Sequence, residues 1–104
     1  MLEQARNKIT EAPDPLRDLI LKLQSTNAVN LAWSSPTVSN KKDKEIWYYK
    51  IFRDNQLLVE IDGDVNSFND PKVKKGSSHR YHIVAVNYNF KESKPSSTVS
   101  VTVP

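Results

Sequence analysis

The stretch Gly76-Ser77-Ser78-His79-Arg80-Tyr81-His82-Ile83-Val84-Ala85-Val86-Asn87 is the longest strand-like run in the chain. Side chains alternate between the two faces of a β-strand, so this run predicts two distinct sets. The set predicted to face a core is His79, Tyr81, Ile83 and Ala85. The set predicted to face outward is Arg80, His82, Val84 and Val86.

Six further runs alternate or are rich in strand-forming residues, and polar turns separate them. Asp54-Asn55 predicts a tight hairpin turn, because Asn accepts the left-handed conformation that such turns need. No connector contains a crossover helix, which excludes a parallel sheet. The sequence therefore predicts an all-β, seven-stranded antiparallel sandwich of two sheets. The six runs are residues 18–24, 29–34, 46–53, 57–61, a brief strand around Phe68, and 97–103.

The length of 104 residues is enough for one hydrophobic core and too short for two. Residues 1–12 have only a weak apolar stripe at helical spacing, and Pro13-Asp14-Pro15 then forces an extended backbone. We expect residues 1–15 to be a tail or linker and residues 16–104 to be the folded domain.

The composition excludes several classes of protein. The chain has no Cys, so it has no disulfide framework and no thiolate zinc site. The net charge of +3 is too small to indicate a nucleic-acid partner, and two lysine clusters lack interleaved aromatic residues. No apolar run approaches the roughly 20 residues of a membrane span, so membrane insertion is not expected. The clusters are Lys41-Lys42-Lys44 and Lys72-Lys74-Lys75.

No pattern in the sequence indicates a catalytic, cofactor or metal site. His79 and His82 lie three apart on a predicted strand and face opposite sides, so they cannot share a metal ion. Ser77 precedes His79, but serines beside a Gly turn are typical of turns. Asp62-Gly63-Asp64-Val65-Asn66 begins like a calcium loop and lacks the later Gly and Glu. We expect a protein that is not an enzyme and needs no cofactor.

Four groups of residues, in order, resemble a fibronectin type III domain from about Pro15 to Pro104. Trp33 follows Leu19 by fourteen residues, like the family's strand B tryptophan. The run 49–55 is similar to the third strand of bacterial members, and 73–81 to the corner motif leucine-x-proline-glycine-x-x-tyrosine. Ala85-Val86-Asn87 followed by Ser93-Lys94-Pro95-Ser96 resembles the family's closing segment. The resemblance implies an immunoglobulin-like, Greek-key topology.

The chain departs from the family at the corner, where His79 replaces the usual tyrosine and Lys75 a common proline. The family's tyrosine hydroxyl binds the backbone there. We expect an imidazole nitrogen of His79 to donate the equivalent hydrogen bond. Tyr81, two residues later, is expected to be an inward core residue.

The resemblance also places the third strand beside the long strand, which predicts a contact face of Tyr48, Phe52, Arg80 and His82 on the outside of one sheet. A first hypothesis is a non-catalytic accessory module of a secreted or cell-surface multidomain protein, monomeric in isolation. Its partners would be adjacent domains of the same polypeptide. The run 49–55, which is similar to bacterial members of the family, resembles modules attached to carbohydrate-active enzymes such as glycoside hydrolases. The alternative is a dedicated binding module for a protein or glycan, with Trp47 or Tyr48 beside Asn89 or His82.

Overall fold

The computed structural model describes residues 12–25, 27–36 and 45–104. These ranges contain strands and turns and no helix. All strand pairs are antiparallel, in one sheet of order β1-β2-β5 and another of order β4-β3-β6-β7. The prediction of a seven-stranded sandwich is confirmed. The strands are β1 Arg17–Ser25, β2 Ala28–Ser34, β3 Ile46–Arg53, β4 Gln56–Asp62, β5 Ser67–Asp70, β6 Ser78–Asn87 and β7 Val99–Thr102.

The core lies between the inner faces of the two sheets. In β6 the side chains of Tyr81, Ile83 and Ala85 are fully buried, as the alternation predicts. Trp33 from the first sheet and Tyr49 from the second meet edge to face, with ring centroids 5.4 Å apart. Edge-to-face contact between two aromatic rings stabilises a fold by more than the burial of their apolar area alone.

The hairpin between β3 and β4 also follows the prediction. Arg53 pairs with Gln56, which leaves a loop of two residues, Asp54 and Asn55. Their φ angles of 53° and 66° are both left-handed. A two-residue turn of this kind matches the twist of its flanking strands, and Asn and Asp tolerate it best among residues with a Cβ.

Strand β1 is less regular than its alternation suggests. Asp18 has a φ of 58°, and the pairing with β2 shifts between Arg17 and Ile20. Leu19 is buried, whereas Leu23 is 40% exposed. The second half of this edge strand therefore extends beyond the core, and its alternating side chains are mostly exposed.

The last strand is shorter than the predicted 97–103, because the residues before it pair with β6 through serine side chains. The backbone N–H groups of Ile83 and Ala85 donate to the Oγ atoms of Ser96 and Ser93, both at 2.9 Å. Ser96 and Ser93 return backbone N–H bonds to the same two residues. Both serines are buried. The serine hydroxyl oxygens thus take the place of the carbonyl acceptors of a regular strand ladder. Pro95, between the two serines, has no N–H to donate to such a ladder.

We expect Ser96→Ala to lower the free energy of unfolding by about 1.5 kcal/mol, because the buried N–H of Ile83 would lose its acceptor. Denaturant unfolding followed by tryptophan fluorescence measures the change. Ser100→Ala, at an exposed position of β7, is the control and should change stability little. Equal losses for the two variants would contradict the assigned role of the hydroxyl.

Candidate functional site

The predicted contact face lies on the outside of the four-stranded sheet. Strands β3 and β6 are neighbours, and Phe52 is directly opposite His82. Their rings stack with centroids 4.8 Å apart and planes 8° apart. Tyr48, Phe52 and His82 are half-buried, while Arg80 is exposed. Burial lowers the pKa of His82. The four side chains therefore lie on one sheet face, and their role in contacts remains a prediction.

Two other residues assigned to this outer face are not available for contact. Val84 and Val86 are only 7% and 1% exposed. Val86 forms a bridge with Glu92 in the segment between β6 and β7, and Glu92 also makes a salt bridge with Lys50. The hydrogen bond to Glu92 raises the pKa of Lys50. The apolar outer face is therefore smaller than the alternation predicts.

His79 ties the corner before β6 to the β3–β4 turn. Its Nδ1 lies 2.7 Å from a carboxylate oxygen of Asp54, and its Nε2 lies 3.1 Å from Ser77 Oγ. Asp54 also accepts a hydrogen bond from the backbone N–H of Arg80. Burial raises the pKa of Asp54, but the hydrogen bonds from His79 and Arg80 outweigh it and lower the pKa overall. The imidazole of His79 thus hydrogen-bonds to two side chains, whereas the sequence analysis predicts a backbone partner.

The order Ser77, His79, Asp54 is that of a serine hydrolase triad, but the protons are arranged differently. Ser77 Oγ donates to the carbonyl oxygen of Lys74 at 2.6 Å and accepts from the N–H of Lys74 at 3.2 Å. The hydroxyl proton is therefore directed to a backbone carbonyl and away from the imidazole. A nucleophile needs the opposite direction, so this group is a structural tie of the corner.

A buried carboxylate joins the two sheets near this corner. Asp70 of β5 is 1% exposed and accepts hydrogen bonds from Tyr81 Oη at 2.7 Å and from an Arg53 guanidinium nitrogen at 2.8 Å. The N–H of Lys72 donates to its other oxygen. Burial raises the pKa of Asp70, but these hydrogen bonds outweigh it and lower the pKa overall. Tyr81 is the inward core residue that the sequence predicts, but the sequence does not predict its hydrogen bond to Asp70.

The remaining polar candidates are exposed or incomplete. Lys72, Lys74 and Lys75 are exposed, and Lys41-Lys42-Lys44 lies outside the described residues. Among the residues that the structure describes, no three His, Asp or Glu side chains are grouped to hold a metal ion. The same ranges contain no helix that is long and apolar enough to cross a membrane.

A cluster of exposed aromatic rings lies where β3 begins and β6 ends. We call it the aromatic cluster. Trp47 stacks on Tyr88, with centroids 5.8 Å apart, and meets Phe90 edge to face at 5.0 Å. Tyr48 meets Trp47 edge to face at 5.3 Å. Trp47 is 37% exposed, Tyr88 58% and Phe90 70%, so much apolar area faces solvent here. The cluster consists of Trp47, Tyr48, Tyr88 and Phe90.

A bulge places Trp47 in the cluster. Ile46 pairs with Asn87 and Tyr48 with Val86, so Trp47 is the extra residue of β3. Bulges re-aim a side chain relative to the regular strand. On the other side, Gly63 N–H donates to the carbonyl oxygen of Trp47 at 2.9 Å. A Cβ at Gly63 would lie 2.2 Å from the carbonyl oxygen of Ile46, so glycine permits this close approach.

A tight turn presents Tyr88 and Phe90. The fully buried Asn87 accepts hydrogen bonds on Oδ1 from the N–H groups of Asn89 and Lys91, at 2.9 and 3.0 Å. Phe90 N–H donates to the carbonyl oxygen of Asn87, and Phe90 has a φ of 63°. That conformation costs a non-glycine residue about 1–2 kcal/mol. The turn thus holds a strained phenylalanine in solvent, as functional sites often do.

A shallow groove of about 400 Å³ adjoins the cluster. It is lined by aromatic and acidic side chains from β3 and β4, and Glu60 and Asp62 are both exposed. The Asp62 carboxylate accepts a hydrogen bond from the N–H of Asp64, and neither carboxylate has a salt bridge among the described residues. The lining residues are Trp47, Tyr48, Glu60, Ile61 and Asp62.

The sequence analysis does not predict this cluster, because residues 88–95 follow the long strand-like run and have no strand pattern of their own. Tyr88 and Phe90 flank Asn89 in that segment, and two aromatic residues in a surface turn were the available signal. Trp47 was considered as a ligand-stacking ring, but its partners Tyr88 and Phe90 lie about forty residues away in the sequence. Only the pairing of β3 with β6 brings them together.

No protein-family model matches the sequence, and no curated protein matches it significantly. Solved structures do resemble it. The third fibronectin III domain of human KIAA0343 protein superposes with a TM-score of 0.75 at 11% identity, over 91% of this chain and 86% of that one. The central fibronectin-III array of RIM-binding protein gives a TM-score of 0.72 at 22% identity, over 88% and 35%. The family 28 exopolygalacturonase of Yersinia enterocolitica gives 0.72 at 15%, over 86% and 20%.

These likenesses show that the chain has the fibronectin type III fold, as the sequence motifs predict. The chain spans about a third of the RIM-binding protein array and a fifth of the exopolygalacturonase. Domains with this fold therefore occur as modules of larger chains, and one of those chains is named an exopolygalacturonase.

Proposed function

We propose that the chain is a non-catalytic accessory module that positions or docks neighbouring domains of a multidomain protein. The observation that carries this proposal is the direction of the chain through the sandwich. A module can hold two neighbours apart when it is entered at one end and left at the other. The buried side chains of Pro13 and Leu16 support a firm attachment where the chain enters.

The pairing registers show that the chain leaves the sandwich where β6 begins. Thr102, the last residue of β7, pairs with Ser78, the first residue of β6. The other end of β6 is marked by Asn87, which pairs with Ile46 at the start of β3. The ten residues of β6 separate these two ends by about 30 Å.

The chain enters at the opposite end. Arg17, the first residue of β1, pairs with Ser34, the last residue of β2. Just before it, Trp33 donates its backbone N–H to the carbonyl oxygen of Asn66 at 3.1 Å, shortly after β4 ends, and the last residue of β4, Asp62, pairs with Tyr48 near the start of β3. Neighbours attached before β1 and after β7 would therefore lie at opposite ends of the sandwich.

The likeness to part of an exopolygalacturonase supports a finer proposal, in which the parent protein is secreted or exposed on the cell surface and acts on carbohydrates as a glycoside hydrolase does. In this proposal residues 16–104 form the module and residues 1–15 link it to a neighbour. The contact face of Tyr48, Phe52, Arg80 and His82 would dock against an adjacent domain, and the isolated module would be a monomer.

Distance measurement between spin labels tests the spacer role. The chain has no Cys, so Asp14→Cys and Pro104→Cys introduce unique labelling sites. We expect a narrow distance distribution centred at about 30–40 Å, the length of the sandwich. The pair Asp14→Cys and Lys91→Cys, at the end where the chain enters, is the control and should be shorter. A broad distribution, or equal distances for the two pairs, would refute the spacer role.

The exposed aromatic cluster favours a second candidate function, in which the module itself binds a protein or a glycan. Aromatic residues are enriched at the centres of binding sites, and the area exposed here is not needed by the fold. The cluster lies at the end where the chain enters, away from the end where it leaves, so a bound partner would leave the connection after β7 free.

A further inference from the structure

The groove beside the aromatic cluster combines two features that favour the same ligand chemistry. Glu60 and Asp62 supply negative charge, and Trp47 and Tyr48 supply aromatic rings. A cationic side chain interacts favourably with both, by charge attraction and by the cation–π interaction. The two features lie within one depression, so a single Lys or Arg side chain can reach both.

The groove carboxylates make no salt bridge within the described residues, although Lys50 lies near enough to Glu60 for a charge interaction. Lys50 pairs with Glu60 across the two strands but makes its salt bridge with Glu92. Within the described residues neither Glu60 nor Asp62 makes a salt bridge. The groove therefore presents charge that a basic partner would complement.

The geometry of the rings fits a cation better than a sugar ring. A neutral sugar ring has no charge for Glu60 and Asp62 to attract, and Tyr88 stacks over Trp47 with planes 20° apart, which reduces the broad platform that a sugar ring needs more than the small area that one cationic group needs. Phe90 and Tyr48 meet the same indole edge to face. A compact group of rings with adjoining carboxylates matches the recognition of a guanidinium or ammonium group.

The surface is also held in place before any partner arrives. The bulge at Trp47, the turn built on Asn87 and the left-handed Phe90 define the backbone from which three of the four rings project. A preorganised site loses less conformational entropy on binding. The strain at Phe90 is explained if the presented ring takes part in recognition.

We propose that the aromatic cluster and its acidic groove form a docking site for an arginine- or lysine-rich peptide segment of a partner protein. This inference rests on the second candidate function and is independent of the spacer role. Glu60 and Asp62 would attract the basic side chain, and Trp47 with Tyr48 would pack against it. Tyr88 and Phe90 would extend the contact to the apolar part of the segment.

Fluorescence anisotropy with the full 104-residue chain tests the proposal. The probe is a fluorescein-labelled octapeptide of alternating glycine and arginine, and its control has citrulline in place of arginine. We expect binding of the arginine peptide, weakened by added NaCl, and no binding of the citrulline peptide. Trp47→Ala, and separately Glu60→Gln with Asp62→Asn, should each raise the Kd about fivefold.

The matched control is Asp18→Asn, which removes one negative charge from β1 of the other sheet. Asn tolerates the left-handed backbone of Asp18, so the fold is kept. This variant should bind like the unchanged chain, and circular dichroism verifies the fold of every variant. Equal affinity for all variants would show nonspecific charge attraction and overturn the proposal.

The neutral oligosaccharide cellohexaose separates the proposal from the function on which it rests. Binding of cellohexaose that Trp47→Ala abolishes, without binding of the arginine peptide, would retain a binding module and refute the basic partner. Binding of neither probe would refute the proposal and remove the support that the aromatic cluster lends to the second candidate function.

Discussion

Replacing Asp70 with alanine is expected to lower the free energy of unfolding by about 3 kcal/mol, the lower end of the range for removing one partner of a buried ion pair. The buried Tyr81 hydroxyl would lose its acceptor, and Arg53 its carboxylate. The Arg53 side chain keeps 23% exposure, so water can solvate part of its charge, which moderates the loss. Chemical denaturation followed by tryptophan fluorescence measures the change.

Asp64→Ala is the matched control, because Asp64 is an exposed carboxylate in the connection between β4 and β5. It should change the free energy of unfolding by less than about 0.5 kcal/mol. Asp70→Asn keeps one acceptor oxygen and should fall between the two. If Asp70→Ala and Asp64→Ala lose the same stability, the buried cluster does not join the sheets as described.

The same cluster predicts a pH dependence. The pKa of Asp70 is lower in the folded state than its usual 3.8, so its contribution is complete above that pH and is lost as the pH falls through the folded value. Burial and then the hydrogen bond to Asp70 raise the pKa of Tyr81 above its usual 10.0. The Tyr81 contribution is therefore complete below pH 10.0 and is lost as the pH rises further. The Asp70→Ala variant should therefore lose less stability than the unchanged chain when the pH falls below 3.8.

Replacing Trp33 with alanine is expected to cost about 3–5 kcal/mol, because it removes a large side chain from the core and leaves a cavity. Trp33 is 4% exposed and packs edge to face on the fully buried Tyr49. A domain of this size has a total stability of about 5–15 kcal/mol, so the variant should be close to unfolding. Thermal unfolding followed by far-ultraviolet circular dichroism measures the loss.

Trp47→Ala is the natural comparison, because it removes the same side chain from the surface. Trp47 is 37% exposed, and its loss should cost about 1 kcal/mol, from the ring contacts with its aromatic neighbours. The two tryptophans therefore separate core packing from the aromatic cluster. A larger loss for Trp47→Ala than for Trp33→Ala would contradict the assignment of inner and outer faces.

The corner of the sandwich shows how a sequence departure is accommodated. The family's tyrosine is replaced by His79, and the sequence predicts a hydrogen bond from the imidazole to the backbone. In the structure the imidazole binds Asp54 and Ser77, and backbone bonds of Gly76 and Val103 hold the corner. Asp54 lies in a hairpin turn that the sequence predicts for other reasons. Its second role depends on the approach of β6 to that turn, which no local pattern reports.

The sequence predicts which residues share the contact face, but it does not predict how exposed each of them is. The alternation of β3 and β6 correctly places Phe52 and His82 on one face. It also places Val84 and Val86 there, which are buried instead. Whether an outward residue meets solvent depends on what crosses over it, and here the segment around Glu92 makes the difference.

The sequence by itself determined the fold class, because strands and turns are encoded locally, while the order of the strands followed from the resemblance to the family. A period of two selects strands, Asp54-Asn55 selects a hairpin turn, and the absence of crossover helices selects antiparallel pairing. The tertiary structure alone decided the aromatic cluster. Trp47 and Phe90 meet only after β3 pairs with β6, and a bulge and a left-handed residue, neither visible in the alternation, set the directions of their rings. A site of this kind depends on register and backbone irregularity, which distant parts of the chain fix together.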